Sequence, residues 1–222
     1  MRKPRLLALG LLLPLLLSAC QSSGAVAKDS AASFAALLAA MPDRVSPDEN
    51  IGAYALEISI GSDRFLWSRD FSKSTYDVWL ETDILPFVEA GLDTAKLPEG
   101  MIHEGSLILG TDLSNQPPGF EGEATPQKAF EQIAKYKRDS IKFFSSEDRY
   151  GIDLGDGHMF EWAKNLQTSD KDIVFVLDPK PFADAGADPD KIPGWTFTKA
   201  ETADAKGNAV QADRLVKAFH IQ

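Results

Sequence analysis

Residues 65 to 98 align without a gap on residues 160 to 193, and 12 of the 34 aligned pairs are identical. Phe65 matches Phe160, Trp67 matches Trp162, and Ser74 and Asp77 match Ser169 and Asp172. Further along, Asp83, Pro86, Phe87, Ala90 and Gly91 match Asp178, Pro181, Phe182, Ala185 and Gly186, and Asp93, Lys96 and Pro98 match Asp188, Lys191 and Pro193. At an offset one residue longer the likeness reaches upstream, pairing Tyr54, Leu56 and Ile58 with Tyr150, Ile152 and Leu154, and Phe34 and Leu37 with Phe130 and Ile133. A chain that repeats itself must satisfy one backbone twice, so this repetition constrains the fold more than any local pattern does. The expectation is a tandem duplication with a unit of about 95 residues and a pseudo-two-fold arrangement, the units being 31–115 and 116–222. Pro117-Pro118-Gly119, within Thr111 to Thr125, marks the connection.

Each copy sharpens the reading of the other. A helix is expected at Ser33 to Met41 and again at Pro126 to Arg138, where Thr125 can cap and Pro126 occupies the first helical position. Two alternating segments follow in each copy, Tyr54 to Ile60 with Phe65 to Ser68, and Tyr150 to Leu154 with His158 to Trp162. Gly61-Ser62-Asp63 and Gly155-Asp156-Gly157 lie between them, supplying the positive φ that hairpin turns require. Further strands are expected at Asp77 to Thr82 and Asp172 to Leu177. Short helices follow at Pro86 to Ala90 and Pro181 to Ala185, stopped by Gly91 and Gly186. Met101 to Gly110 and Trp195 to Thr202 read as strands, and Ala212 to Phe219 as a closing helix or strand. Strand meanders with few parallel crossovers imply antiparallel sheet with helices on one face, the α+β class. A duplicated pair of this kind joins through a sheet edge or a shared core.

The N-terminus carries a different message. Arg2, Lys3 and Arg5 precede an apolar run from Leu6 to Leu17, then Leu17-Ser18-Ala19-Cys20. A cationic start, a short apolar run and small residues before a cut site make a secretory signal, and Leu-Ser-Ala-Cys resembles the lipobox of bacterial lipoproteins. The resemblance implies that residues 1–19 are removed and that Cys20 becomes a lipidated N-terminus on the cell membrane or outer membrane, outside the cytoplasm. Gln21 stands where an Asp would favour inner-membrane retention. The apolar run is shorter than the roughly 20 residues a spanning helix needs. Two or three acyl chains suffice for stable attachment at about 0.8 kcal/mol per buried methylene. Residues 20–30, rich in Ser, Ala and Gly, then read as the lipidated Cys and a flexible tether.

Cys20 is the only cysteine, so the domain has no disulfide framework and relies on its core. Without residues 1–19 the chain keeps 20 Lys and Arg against 33 Asp and Glu, formally −13. That balance argues against nucleic acid and against electrostatic docking on anionic lipid. Lys128, Lys135, Lys137, Arg138 and Lys142 form the one basic concentration, either a solvated helix face or a contact for an acidic partner or phosphate-rich glycan.

The sequence contains no Gly-x-Ser-x-Gly, no His-Glu-x-x-His, no phosphate-binding glycine loop and no Cys nucleophile. Three histidines, His103, His158 and His220, offer no visible triad; His158 reads as a solvent-facing hairpin residue. Glu81, Asp83 and Asp178 are the carboxylates to weigh for acid–base work on a glycan, although both aspartates sit where they would cap the short helices. Asp93 and Asp188, three residues before Lys96 and Lys191, look like turn brackets. Asp184, Asp188 and Asp190, like Asp153 and Asp156, crowd single loops without the calcium-loop spacing, so neither a metal nor another cofactor is expected.

Four tryptophans are candidate ligand contacts. Trp67 and Trp162, each two residues from a phenylalanine in a strand, share a sheet face with it. They either anchor the two cores or line a groove where an indole stacks on a sugar or apolar ligand. Trp79 and Trp195 face Val174 and Gly100 in the alignment, so the fold does not demand them twice. The expectation is a non-enzymatic, lipid-anchored binding or interaction protein of the bacterial envelope, whose partner is a protein, a glycan or an apolar ligand. A carrier of lipid or another apolar molecule, and a carboxylate-dependent glycan hydrolase, are the alternatives.

Overall fold

The computed structural model describes residues 23–111, 124–169, 171–203 and 209–221, so Cys20, the segment read as its leader and most of the proline-containing connection lie outside the described residues. The first half runs α1 (Ser23–Ala40), β1 (Val45–Asp48), β2 (Ala53–Ser59), β3 (Asp63–Ser68), β4 (Val78–Asp83), the short helix α2 (Leu85–Glu89), β5 (Ile102–His103) and β6 (Ser106–Thr111). The second runs α3 (Pro126–Tyr136), β7 (Ile141–Phe144), β8 (Arg149–Asp153), β9 (Met159–Ala163), β10 (Ile173–Leu177), α4 (Lys180–Asp184), β11 (Thr196–Ala203) and β12 (Ala209–Phe219). The strands form two antiparallel six-stranded sheets, ordered β1-β2-β3-β4-β6-β5 and β7-β8-β9-β10-β12-β11. The α+β class is what the chain adopts, and the two strand orders coincide position for position.

Several local expectations hold. Thr125 accepts a hydrogen bond from the Lys128 amide at the start of α3. Asp83 and Asp178 accept from the amides of Leu85 and Lys180, the first residues of α2 and α4. Gly91 and Gly186 follow these helices at φ of 101° and 103°. Asp93 and Asp188 each accept an amide two residues on and pair with Lys96 and Lys191, bracketing single turns of 3-10 helix.

Other elements differ from expectation. α1 starts at Ser23, within the segment read as tether, because alanine is the best helix former and the stripe Ala27, Ser30, Ala31, Phe34, Leu37 and Leu38 is buried. β1 and β7 were not foreseen; each is a four-residue edge strand, too short to show a period. Met101 to Gly110 is a hairpin rather than one strand, turned by Glu104 and Gly105, both at positive φ. Ala212 to Phe219 belongs to the strand β12.

The halves join through a shared core and not through a sheet edge. Each long helix covers the other half's sheet. α1 packs along β7 and β9, and the Ser33 hydroxyl donates to the Ala163 carbonyl at 2.8 Å. α3 packs on β3; the Trp67 indole N–H donates to the Pro126 carbonyl at 3.1 Å, and the Tyr54 hydroxyl donates to the Ala124 carbonyl. Between the sheets, matched residues touch each other. Phe34 stacks on Phe130 at 3.8 Å, Phe65 on Phe160 at 3.9 Å, and Phe87 meets Phe182 at 4.8 Å. The Asp93 amide donates to the Ala185 carbonyl and the Asp188 amide to the Ala90 carbonyl, both at 2.9 Å. Such reciprocity, residue i to j and j to i, is the contact pattern of an isologous interface. Aromatic pairs of this geometry contribute roughly 0.5–1.5 kcal/mol each beyond their burial.

Candidate functional site

The four tryptophans do not gather around one cleft. Trp67 and Trp162 are fully buried in the shared core, each against Phe34 and Phe130. Trp79 lies in a small outer cluster with Ala53, Ala55 and Leu66, its indole N–H donating to Glu81 at 3.2 Å. Trp195 packs edge-on against Phe87 with the Lys217 ammonium over its ring. The carboxylates weighed for acid–base work are also apart in role. Glu81 pairs with Arg64 at 2.9 Å, while Asp83 and Asp178, one residue before the N-cap positions Ile84 and Pro179, accept from the first amides of α2 and α4. His158 is buried and not solvent-facing: the Asp178 amide donates to its Nδ1 at 3.2 Å, and burial holds its pKa down at about 4. His220 Nδ1 lies 2.8 Å from Asp172, and His103 is exposed.

The basic concentration divides. Lys137 turns inward to Asp77 at 4.0 Å, and Lys142 donates to the Asp139 carbonyl. Lys135 and Arg138 join Lys28 along a groove between α1 and α3, about 520 Å³ in volume, floored by Gly24, Ala27, Ala31 and Ala32.

The feature that stands out physically was missed at the sequence level. Arg149 and Glu161 lie on the outer face of the second sheet, yet both are only 3% exposed. Arg149 Nε sits 3.2 Å from Glu161 Oε2, and Nη1 donates to the Lys171 carbonyl. Nη2 is buried without a hydrogen-bond partner among the described residues. Burial pushes the Glu161 carboxyl up to about 8 against the opposing pull of Arg149, with Glu147 and Glu201 adding repulsion. A charged donor left unsatisfied in the interior costs at least 1–3 kcal/mol, approximately.

Two local devices bury this pair. Gly151 pairs with Glu161 across the β8–β9 ladder, and a Cβ there would lie 2.8 Å from Phe144, 2.9 Å from Met159 and 3.2 Å from the Glu161 Cγ. The glycine therefore makes room for three side chains to converge over it. The sheet also curls. Six strands laid flat would hold β7 and β11 about 24 Å apart, but Ser146, just past β7, donates its hydroxyl to Glu201 on β11. The outer face becomes concave and encloses a second small core of Phe144, Met159, Val174 and Val176.

Arg149 also contributes to the wall of a polar pocket of about 360 Å³, formed by the β7–β8 turn and the β9–β10 loop. Its other walls are Ser146, Glu147, Asp148, Asn165, Thr168, Ser169 and Lys171. Asp148 is held by Lys164 at 3.6 Å.

The first half supplies an internal control. Arg149 aligns with Ala53 and Glu161 with Leu66. The ladders agree: Ala53 pairs with Ser68 as Arg149 pairs with Ala163, and Leu66 pairs with Trp79 as Glu161 pairs with Val174. Ala53 and Leu66 are themselves fully buried, so this backbone accepts apolar residues at both positions. The Arg149–Glu161 pair is present in the second half and not in the first, and a residue set with perturbed titration beside a pocket is a candidate for a functional site. No family model, curated protein or solved structure matches the chain.

Proposed function

We propose that the chain is a tandem duplication arranged about a pseudo-two-fold axis, held outside the cytoplasm by lipid on Cys20, and that it acts by binding, with its second half carrying the ligand site. The observation that carries this reading is the buried Arg149–Glu161 pair beside a polar pocket, where the first half fills the same ladder positions with Ala53 and Leu66. Identical strand orders and reciprocal contacts between matched phenylalanines support the duplication. The motif at Cys20 supports the anchor, and no helix among the described residues is long and apolar enough to cross a membrane.

Binding is favoured over glycan hydrolysis because Glu81 is committed to an ion pair and Asp83 and Asp178 to backbone amides at the starts of α2 and α4. It is favoured over carriage of an apolar molecule because stacked rings occupy the space where the two sheets meet. Labelled palmitate fed to bacteria making the full chain tests the anchor. Incorporation into wild type and none into Cys20→Ala is the expected result; an unlabelled wild type would remove the anchor from the reading.

A further inference from the structure

We infer that the pocket between the β7–β8 turn and the β9–β10 loop takes a small hydrophilic ligand bearing a carboxylate, which meets the Arg149 guanidinium and Lys171, with hydrogen-bond-donating groups opposite it meeting Glu147. The inference rests on the binding reading above and names the ligand class for that site.

Three features of the site select the carboxylate. The guanidinium is held through two of its nitrogens, Nε to Glu161 and Nη1 to the Lys171 carbonyl, and its third, Nη2, is closed off from solvent and lacks an acceptor among the described residues, in a side chain that lines the pocket. A planar, pre-organised guanidinium matches a carboxylate better than an ammonium does. Secondly, burial works against the ionised form of Glu161 and so weakens it as the counter-charge 3.2 Å from Arg149; an incoming carboxylate supplies a further one in a site where water screens little. Thirdly, besides the charged Glu147, Asp148 and Lys171, the surrounding walls are hydroxyls and an amide, Ser146, Thr168, Ser169 and Asn165, with no large apolar side chain among the described residues. That lining suits a polar molecule, and about 360 Å³ lies at the small end of ligand sites. Asp148 is already paired with Lys164, whereas Glu147 makes no ion pair with a described residue. A ligand with ammonium or hydroxyl groups at its far end fits that remaining acceptor.

The first half dictates the decisive variant. Arg149→Ala alone would strand Glu161, but Arg149→Ala with Glu161→Leu installs the pair that the first half already holds on the same ladder positions. Exchange of a buried ion pair for apolar residues is often neutral or stabilising. The experiment is thermal unfolding of the full chain, wild type and double variant, with alanine, glucuronate or glucose as separate probes. Alanine or glucuronate at a hundredfold excess over its Kd should raise the wild-type Tm by about 5 °C or more. Glucose, which has hydroxyls and no carboxylate, should not, and the double variant should unfold near the wild-type Tm and respond to none of the three. A wild-type chain indifferent to both carboxylates at 50 mM, or equally stabilised by glucose, overturns the ligand class. A double variant that loses the cooperative transition shows the pair to be structural and overturns the site. Palmitate labelling at Cys20 reads out separately, so a failed ligand class with intact labelling leaves the anchor standing.

Discussion

Glu161 and His158 lie three residues apart and bias stability in opposite directions with pH. The native state keeps Glu161 protonated up to about 8, whereas an unfolded glutamate ionises near 4.5. The native state therefore holds the extra proton between those values, and this contribution falls as pH rises through the window. His158 is the reverse: unfolded histidine protonates near 6.5, the native ring only near 4, so stability is lost as pH falls between them. From pH 4.5 to 6.5 the two oppose each other, and from 6.5 to 8 Glu161 acts alone. Glu161→Gln should therefore gain on wild type by several degrees of Tm between pH 6.5 and 8. A constant difference across that range in a pH series of melting curves would show that the carboxyl is already ionised. His158→Gln should flatten the acid limb below pH 6.5.

Neither residue was legible from its own neighbourhood. Strand alternation assigns a face, and Glu161 between Phe160 and Trp162 faces outward, where a charged residue is ordinary. Its burial comes from the curl that brings β11 round to Ser146, a contact 55 residues away in sequence. The internal alignment did hold the signal, since charged residues stand opposite Ala53 and Leu66. His158 looked exposed because a glycine turn precedes it, and it is buried because Asp178 and Phe182 close over it.

Among the elements, the stops after α2 and α4 show how repetition makes a turn readable. Gly91 and Gly186 were expected as helix stops, and their φ values require glycine. The sequence could not show that the two also face each other. A Cβ on Gly91 would lie 3.0 Å from the Gly186 carbonyl oxygen, and one on Gly186 3.1 Å from that of Gly91. Gly61, at φ of 75° in an exposed turn, has no atom within 4 Å of such a Cβ. Gly91→Ala should therefore cost about 1–3 kcal/mol and Gly61→Ala about 1 kcal/mol, compared by urea unfolding. Equal costs would mean that the two carbonyls move apart freely. Hairpins marked by glycine were readable for the same reason as the stops. The four-residue edge strands β1 and β7 were not, because pairing with a neighbour defines them more than their composition does. α1 was under-read because Ser and Ala at its start resemble a linker until a partner surface is known.

At the scale of the whole molecule, the exchange of α1 and α3 between sheets ties the halves into one cooperative unit. Removing either helix uncovers the sheet of the other half, and the rings of Phe34 and Phe130 belong to both. Lys217 on β12 adds a bridge to buried Asp63 at the start of β3, 2.8 Å away. Separate polypeptides covering 20–111 and 112–222 should each fail to give a monomer with a cooperative transition, and should co-purify one-to-one when made together. A lone half that melts cooperatively as a monomer, by light scattering and calorimetry, would show that the exchange is dispensable.

The exchanged helices also fix an order of events during synthesis. Among the described elements α1 is made first, but the surface it covers includes β9, and the sheet containing β9 is finished only when β12 has followed. Phe34 can meet Phe65 and Trp67 of its own half early, but the side of α1 that lies along β7 and β9 must wait, uncovered, until the second sheet has been made.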